Sequence, residues 1–158
     1  MKKYIIDNSL VGRHSKFNQE LFEKYDIPAR AKIKEALGEF VIDNPDKYKQ
    51  DLVITDQTCK YKYIELQVCS NWVNDKFPHD KVYVYERKYH YDNDTLFITL
   101  NKSMTKGVLF DAKSFKANKP RRIKKYSREF VYDVPWNKIL PFSMDDLCSE
   151  LIKLYNAK

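Results

Sequence analysis

Polar and apolar residues alternate with period two through residues 61–69. Ile64, Leu66 and Val68 form one set, and Tyr61, Tyr63, Glu65, Gln67 and Cys69 form the other. In a strand the two sets face opposite ways, so this segment is predicted to bury its aliphatic face and project Glu65 and Gln67 from the other. Residues 51–55 read as a partner strand with Asp51 at its mouth. Further strands are predicted over 82–90, 95–100, 107–112 and 130–134. Asp92, Asn93 and Asp94 suggest a hairpin turn joining the first two of these. Helical spacing appears at both ends of the chain. Phe17, Leu21 and Phe22, with Ser15 as cap, predict a helix over 16–25, and a second begins at Pro28 with an Ile33, Leu37, Phe40 stripe. That stripe leaves Glu35 and Glu39 one turn apart on another face. Asp43, Asn44, Pro45 and Asp46 mark the turn that ends this region. A last helix over 143–157 takes Ser143 as cap and Leu147, Leu151 and Leu154 as its buried stripe.

These elements predict an α/β or α+β fold, a mixed central sheet flanked by helices that cover its faces. The 158 residues suit one domain, with a core over about 28–112, a basic segment over 113–128 and the C-terminal helix. Only three glycines are present, at 12, 38 and 107, which excludes a glycine-rich phosphate loop. Cys59, Cys69 and Cys148 are odd in number and lack CxxC spacing, which argues against a disulfide framework or zinc site. An intracellular setting, cytoplasm or nucleus, is expected. The first apolar stretch stops at Asp7, short of a secretory leader, and no run reaches membrane-spanning length.

Charge changes the picture. Of 29 Lys and Arg, eight lie between 113 and 128, where no acid occurs, while the rest of the chain sets its remaining basic residues against 22 acids and is close to neutral. Lys113, Lys116, Lys119, Arg121, Arg122, Lys124, Lys125 and Arg128 are therefore candidates for nucleic-acid phosphates, with Phe115 and Tyr126 available to stack on bases. A solvated loop explains the same run. Residues 119–125 also carry the pattern of a nuclear-import signal.

Asp51 and Glu65 are the candidate metal ligands, because paired carboxylates suit a hard ion such as magnesium. The same alternation also describes the wet face of an antiparallel sheet. Tyr61, Tyr63 and Cys69 share that face and imply partial cover, which makes an unpaired Glu65 costly there. His14, His79 and His90 lack a paired ligand spacing, and no strand elbow with flanking glycines marks Ser70 as a nucleophile. The tyrosines of 82–91 suggest cross-strand packing, with stacking on single-stranded bases as the alternative, and Trp72 and Trp136 read as packing anchors.

A helix with a glutamate, a strand opening on Asp51 and a strand carrying Glu65-Leu66-Gln67 together resemble the PD-(D/E)xK, or restriction-endonuclease-like, nuclease superfamily over roughly residues 30–112. The resemblance implies that fold and a DNA phosphodiesterase using Mg²⁺ or Mn²⁺. Asp51 and Glu65 would hold the metal, Glu35 would be an added helix carboxylate, and Gln67 would stand where the family places lysine. The motif's proline is replaced by Gln50. A glutamine can orient water but supplies no positive charge. Other members bring a lysine from a neighbouring element, and Lys81, Lys88 and Lys113 are candidates by residue type. Nucleases of this kind that cut both strands are often dimers, which adds a second copy as a partner. The alternative is a nucleic-acid-binding or assembly protein that keeps the fold without the chemistry. The residue usage also suits an AT-rich genome such as a viral one.

Overall fold

A computed structural model describes residues 19–122 and 130–156, with side chains to 153. The fold is α+β. A six-stranded mixed sheet runs in the order β1 (Val41–Asp43), β2 (Leu52–Ile54), β3 (Tyr63–Val68), β5 (Thr95–Leu100), β6 (Lys106–Asp111), β9 (Leu140–Ser143). A three-stranded sheet orders β4 (Val82–Tyr85), β8 (Phe130–Val134) and β7 (Arg121–Arg122). Every pair is antiparallel except β3 with β5.

That one parallel pair organises the molecule. Parallel neighbours need a crossover, and residues 69–94 provide it, carrying β4 out into the smaller sheet on the way. The two sheet faces are therefore covered differently. On one, Ile64, Leu66, Leu96, Ile98 and Leu109 pack under Ala29, Ile33 and Leu37 of helix α2 (Ile27–Leu37) and under Leu147 and Leu151 of α4 (Leu147–Asn156). On the other, Phe97, Val108 and Phe110 meet Val82 and Val84 of β4, Tyr132 and Val134 of β8, and Phe115 of the short helix α3 (Lys113–Lys116). The expectation of helices over both faces is thus corrected, because both long helices share one face and the small sheet takes the other. Strand β5 lies between these layers and is buried at every position, which is why it lacks an alternating polar face and carries no side chain more polar than Thr95 and Thr99.

The hairpin around Asp92–Asp94 does not form. The chain does turn there, with Thr95 N donating to Asp92 O at 3.1 Å, but β4 pairs with β8 and β5 enters beside β3. The expected 82–90 strand stops at Tyr85, where a 3-10 turn over Glu86–Lys88 aims Lys88 inward. Near the N-terminal end, two expected helices are one helical path. α1 (Gln19–Leu21) runs through a π turn (Phe22–Asp26) into α2. Pro28 accounts for the wider turn, since proline removes an N–H and its ring crowds the carbonyl four residues back. The expected residues 15–18 lie outside those described, as does the Leu154 side chain. The expected Ser143 side-chain cap does not form, because its hydroxyl donates to Asp146 Oδ2 at 2.8 Å instead of accepting from a backbone N–H. Among the described residues no helix is long and apolar enough to cross a membrane.

Tyr61, buried at the edge of the helix-side core, donates through its hydroxyl to Asp111 Oδ2 at 3.0 Å. Burial, and then the adjacent Asp111 charge, hold the phenol well above the usual tyrosine range. Its protonated form is favoured by folding, so this contribution is complete below pH about 10, the unfolded value, and is lost as pH rises further. Tyr61→Phe is expected to lower stability by about 1 kcal/mol at neutral pH. It should also flatten the alkaline fall in stability, read from urea midpoints between pH 7 and 11.

Candidate functional site

Strands β2 and β3 bring Asp51 and Glu65 together. Leu52 pairs with Ile64, so one step further out Asp51 falls opposite Glu65. The chain leaves the ladder at that point, and Leu66 N would lose its acceptor. The Asp51 carboxylate replaces the missing strand, its Oδ2 accepting from Leu66 N at 2.9 Å. Asp51 N donates in turn to Glu65 Oε1 at 3.2 Å. The two acids are thereby fixed side by side, and both are buried, Glu65 to 2% exposure.

Carboxylates so buried need cationic partners. Arg30, on the second turn of α2, places Nη2 3.1 Å from Asp51 Oδ1. Lys88, turned inward by the 3-10 turn after β4, places Nζ 3.1 Å from Glu65 Oε2. Lys88 is itself buried, at 8% side-chain exposure. The site is therefore a chain of four charges, Arg30, Asp51, Glu65 and Lys88, drawn from α2, the start of β2, β3 and the turn after β4. Arg30 retains a buried Nε–H with no acceptor. Beside the acids, Gln50 crosses the sheet to donate to Thr95 Oγ1 at 2.9 Å.

The other site candidates lie elsewhere. Gln67 shares the Glu65 face, but its amide donates to Thr99 Oγ1 at 2.5 Å and to Tyr83 O at 3.3 Å, tying β3 to β5 and to β4. It is held as a strut between the two sheets. Glu35 is exposed and lines a depression with Met104, Thr105 and Met144, so α2 contributes Arg30 to the acid pair and not Glu35. Of the lysines considered for the missing charge, Lys81 is exposed beside Asp133 at 3.7 Å and Lys113 is exposed on α3, while Lys88 reaches the acids. Arg30 had no local signal in the sequence. It is a basic residue on a helix rich in them, and only the fold brings it to Asp51.

The basic stretch divides in two. Lys113, Lys119 and Arg122 are exposed. Lys116 donates to Tyr91 O, and Arg121 is held 2.7 Å from Asp133 with its guanidinium over the Tyr83 ring, centroid distance 5.8 Å. That ion pair raises the Arg121 pKa. Lys124, Lys125 and Arg128 lie outside the described residues.

Two adjacent carboxylates match the donor type a magnesium ion prefers, and such an ion is commonly held by one or two carboxylates with water and phosphate completing the shell. Among the described residues no group of three or more His, Cys, Asp and Glu is placed to hold a metal. All four carboxylate oxygens already accept from Arg30, Leu66 N, Asp51 N and Lys88. The two side-chain cations carry together the charge of one divalent ion, so exchange of one for the other would leave the buried site neutral. Comparison with protein-family models, with curated proteins and with solved structures finds no match.

Proposed function

We propose that the protein is a metal-dependent phosphodiesterase acting on DNA, with Asp51 and Glu65 as ligands for Mg²⁺ or Mn²⁺. One observation carries this reading. Two acids from adjacent strands are locked together, and a buried lysine from outside the motif, Lys88, stands on the second of them. Acid, acid and lysine are thus assembled although the motif itself has Gln67 in the lysine position. A divalent ion bound there would supply charge neutralisation at a scissile phosphate and a more acidic water. Arg30 positions the Asp51 carboxylate through Nη2 and keeps a buried Nε–H without an acceptor among the described residues. Lys88 keeps a positive charge beside Glu65 at a place where water is excluded, which strengthens its action on an anionic phosphate. Gln67 is a positioning residue in this scheme, holding β3 against β4. Exposed Lys113, Lys119 and Arg122 would engage the nucleic-acid backbone.

The test is incubation of the full chain with single-stranded, duplex and branched DNA in Mg²⁺ or Mn²⁺. Cleavage of at least one substrate is expected from wild type. Asp51→Asn, which keeps an acceptor for Leu66 N but lacks the charge, should lower the rate by about a hundredfold or more. No cleavage by wild type on any substrate, or equal cleavage by Asp51→Asn, overturns the reading. A second reading, a nucleic-acid-binding protein without catalysis, is favoured by the full commitment of all four carboxylate oxygens to protein donors. It expects salt-sensitive DNA binding with no metal-dependent step.

A further inference from the structure

Away from the acid pair, the segment after β3, the 3-10 turn Trp136–Lys138, and strands β6 and β9 enclose a cleft of about 830 Å³. That size is typical of small-molecule sites. Its wall is aromatic. Phe77 stands edge-on to both indoles, 5.2 Å from Trp72 and 5.6 Å from Trp136. Trp72 is buried, whereas Trp136 is 44% exposed. The exposed indole is nevertheless fixed, since its Nε1 donates to Asp80 O at 2.7 Å. A large aromatic face is thus held open to the cleft instead of folding into the core.

The charge of the lining runs against that of the chain. Asp75, Asp80, Asp146 and Glu150 line the cleft with only Lys76 and Lys106 opposing them, in a protein of net charge +7. Lys106 is taken up by Asp75 at 2.6 Å, and Glu150 pairs with Lys153 at 3.2 Å. Among the described residues Asp80 and Asp146 have no cationic partner; the Asp146 carboxylate accepts from the Ser143 hydroxyl at 2.8 Å, and its backbone carbonyl from the Ser149 hydroxyl. Phosphates are disfavoured by such a lining. Aromatic faces and carboxylates together recognise a cation on an apolar stem, the first through the ring quadrupole and the second through charge-assisted hydrogen bonds.

We infer that this cleft is a binding site for an organic cation, an alkylammonium or guanidinium group, with its head toward Asp80 and Asp146 and its stem against Trp136 and Phe77. Two sources share that chemistry, a free amine and a lysine or arginine side chain of a peptide. Calorimetric titration of the full chain with spermidine, with an end-blocked Gly-Arg-Gly peptide and with the same peptide carrying citrulline for arginine tests the inference. Binding of either cation is expected, with the citrulline peptide at least about tenfold weaker than the arginine one wherever the peptide binds. Spermidine alone would identify a free amine as ligand, and the arginine peptide alone a protein segment. Asp80→Asn with Asp146→Asn should weaken binding by about tenfold. Trp136→Ala should weaken it several-fold and reduce the change in indole emission on binding, leaving the part due to Trp72. Absence of binding by both cations overturns the inference. So does equal binding of the arginine and citrulline peptides, or cation binding unmoved by the double substitution. None of these outcomes depends on DNA cleavage.

Discussion

Lys88→Met is expected to destabilise the fold by about 3–5 kcal/mol, the usual cost of stranding one member of a buried ion pair. The size follows from where Glu65 sits. It is 2% exposed on a sheet face covered by a second sheet, with Phe97 beside it in register on β5. Water cannot take over from the lost ammonium, so the carboxylate must stay charged and unpaired on that side or bind a proton. Removing both charges should restore most of the loss. Lys88→Met combined with Glu65→Leu replaces an ion pair by apolar groups of similar size, which is often neutral or stabilising. Urea unfolding of the two single variants and the double variant measures this coupling. A Lys88→Met loss under about 1 kcal/mol would mean that the pair is not buried in solution.

Phe97→Ala should cost a similar amount, about 3–5 kcal/mol, for a different reason. Phe97 is fully buried between the sheets, stacked on Phe110 with ring centroids 5.5 Å apart and edge-on to Phe115 at 5.3 Å. Truncation leaves a cavity bounded by two strands and α3, elements with little freedom to collapse into it. Because Phe97 is the register neighbour of Glu65, the same cavity opens beside the acid pair. In a chain of this size the thermal midpoint should fall by about 2–4 °C for each kcal/mol lost. Phe97→Leu, which keeps most of the volume, should lose less than half as much. Equal losses for both variants would contradict the stacked packing.

Local pattern revealed some of this architecture and hid the rest for identifiable reasons. Strands over 95–100 and 130–134 have the limits expected of them, the first buried at every position and the second at Val131, Tyr132 and Val134. The acid-bearing strands were also legible, and so was the closeness of Asp51 to Glu65. β1, β7 and β9 escaped notice because they are two to four residues long and too short for periodicity to register. The Asp92–Asp94 turn misled because a turn signal does not say which strand follows into which sheet. Glu65 was expected on a partly covered face; the smaller sheet buries it to 2% exposure, and no feature near residue 65 reports a sheet formed by residues 82–85, 121–122 and 130–134. Arg30 and Lys88 lie 21 and 23 residues from their partners, beyond the reach of any spacing rule. Lys88 was named by residue type alone, beside Lys81 and Lys113, and only the fold selects it.

The acid pair as a divalent-metal site is the claim on which the functional reading stands, and it can be tested without a nucleic-acid substrate. Calorimetric titration of Mn²⁺ into the full chain, compared with Glu65→Gln, is the direct measurement. One ion bound per chain, with affinity lost in Glu65→Gln, is the expected result. No binding heat in wild type, or the same binding in Glu65→Gln, would contradict it.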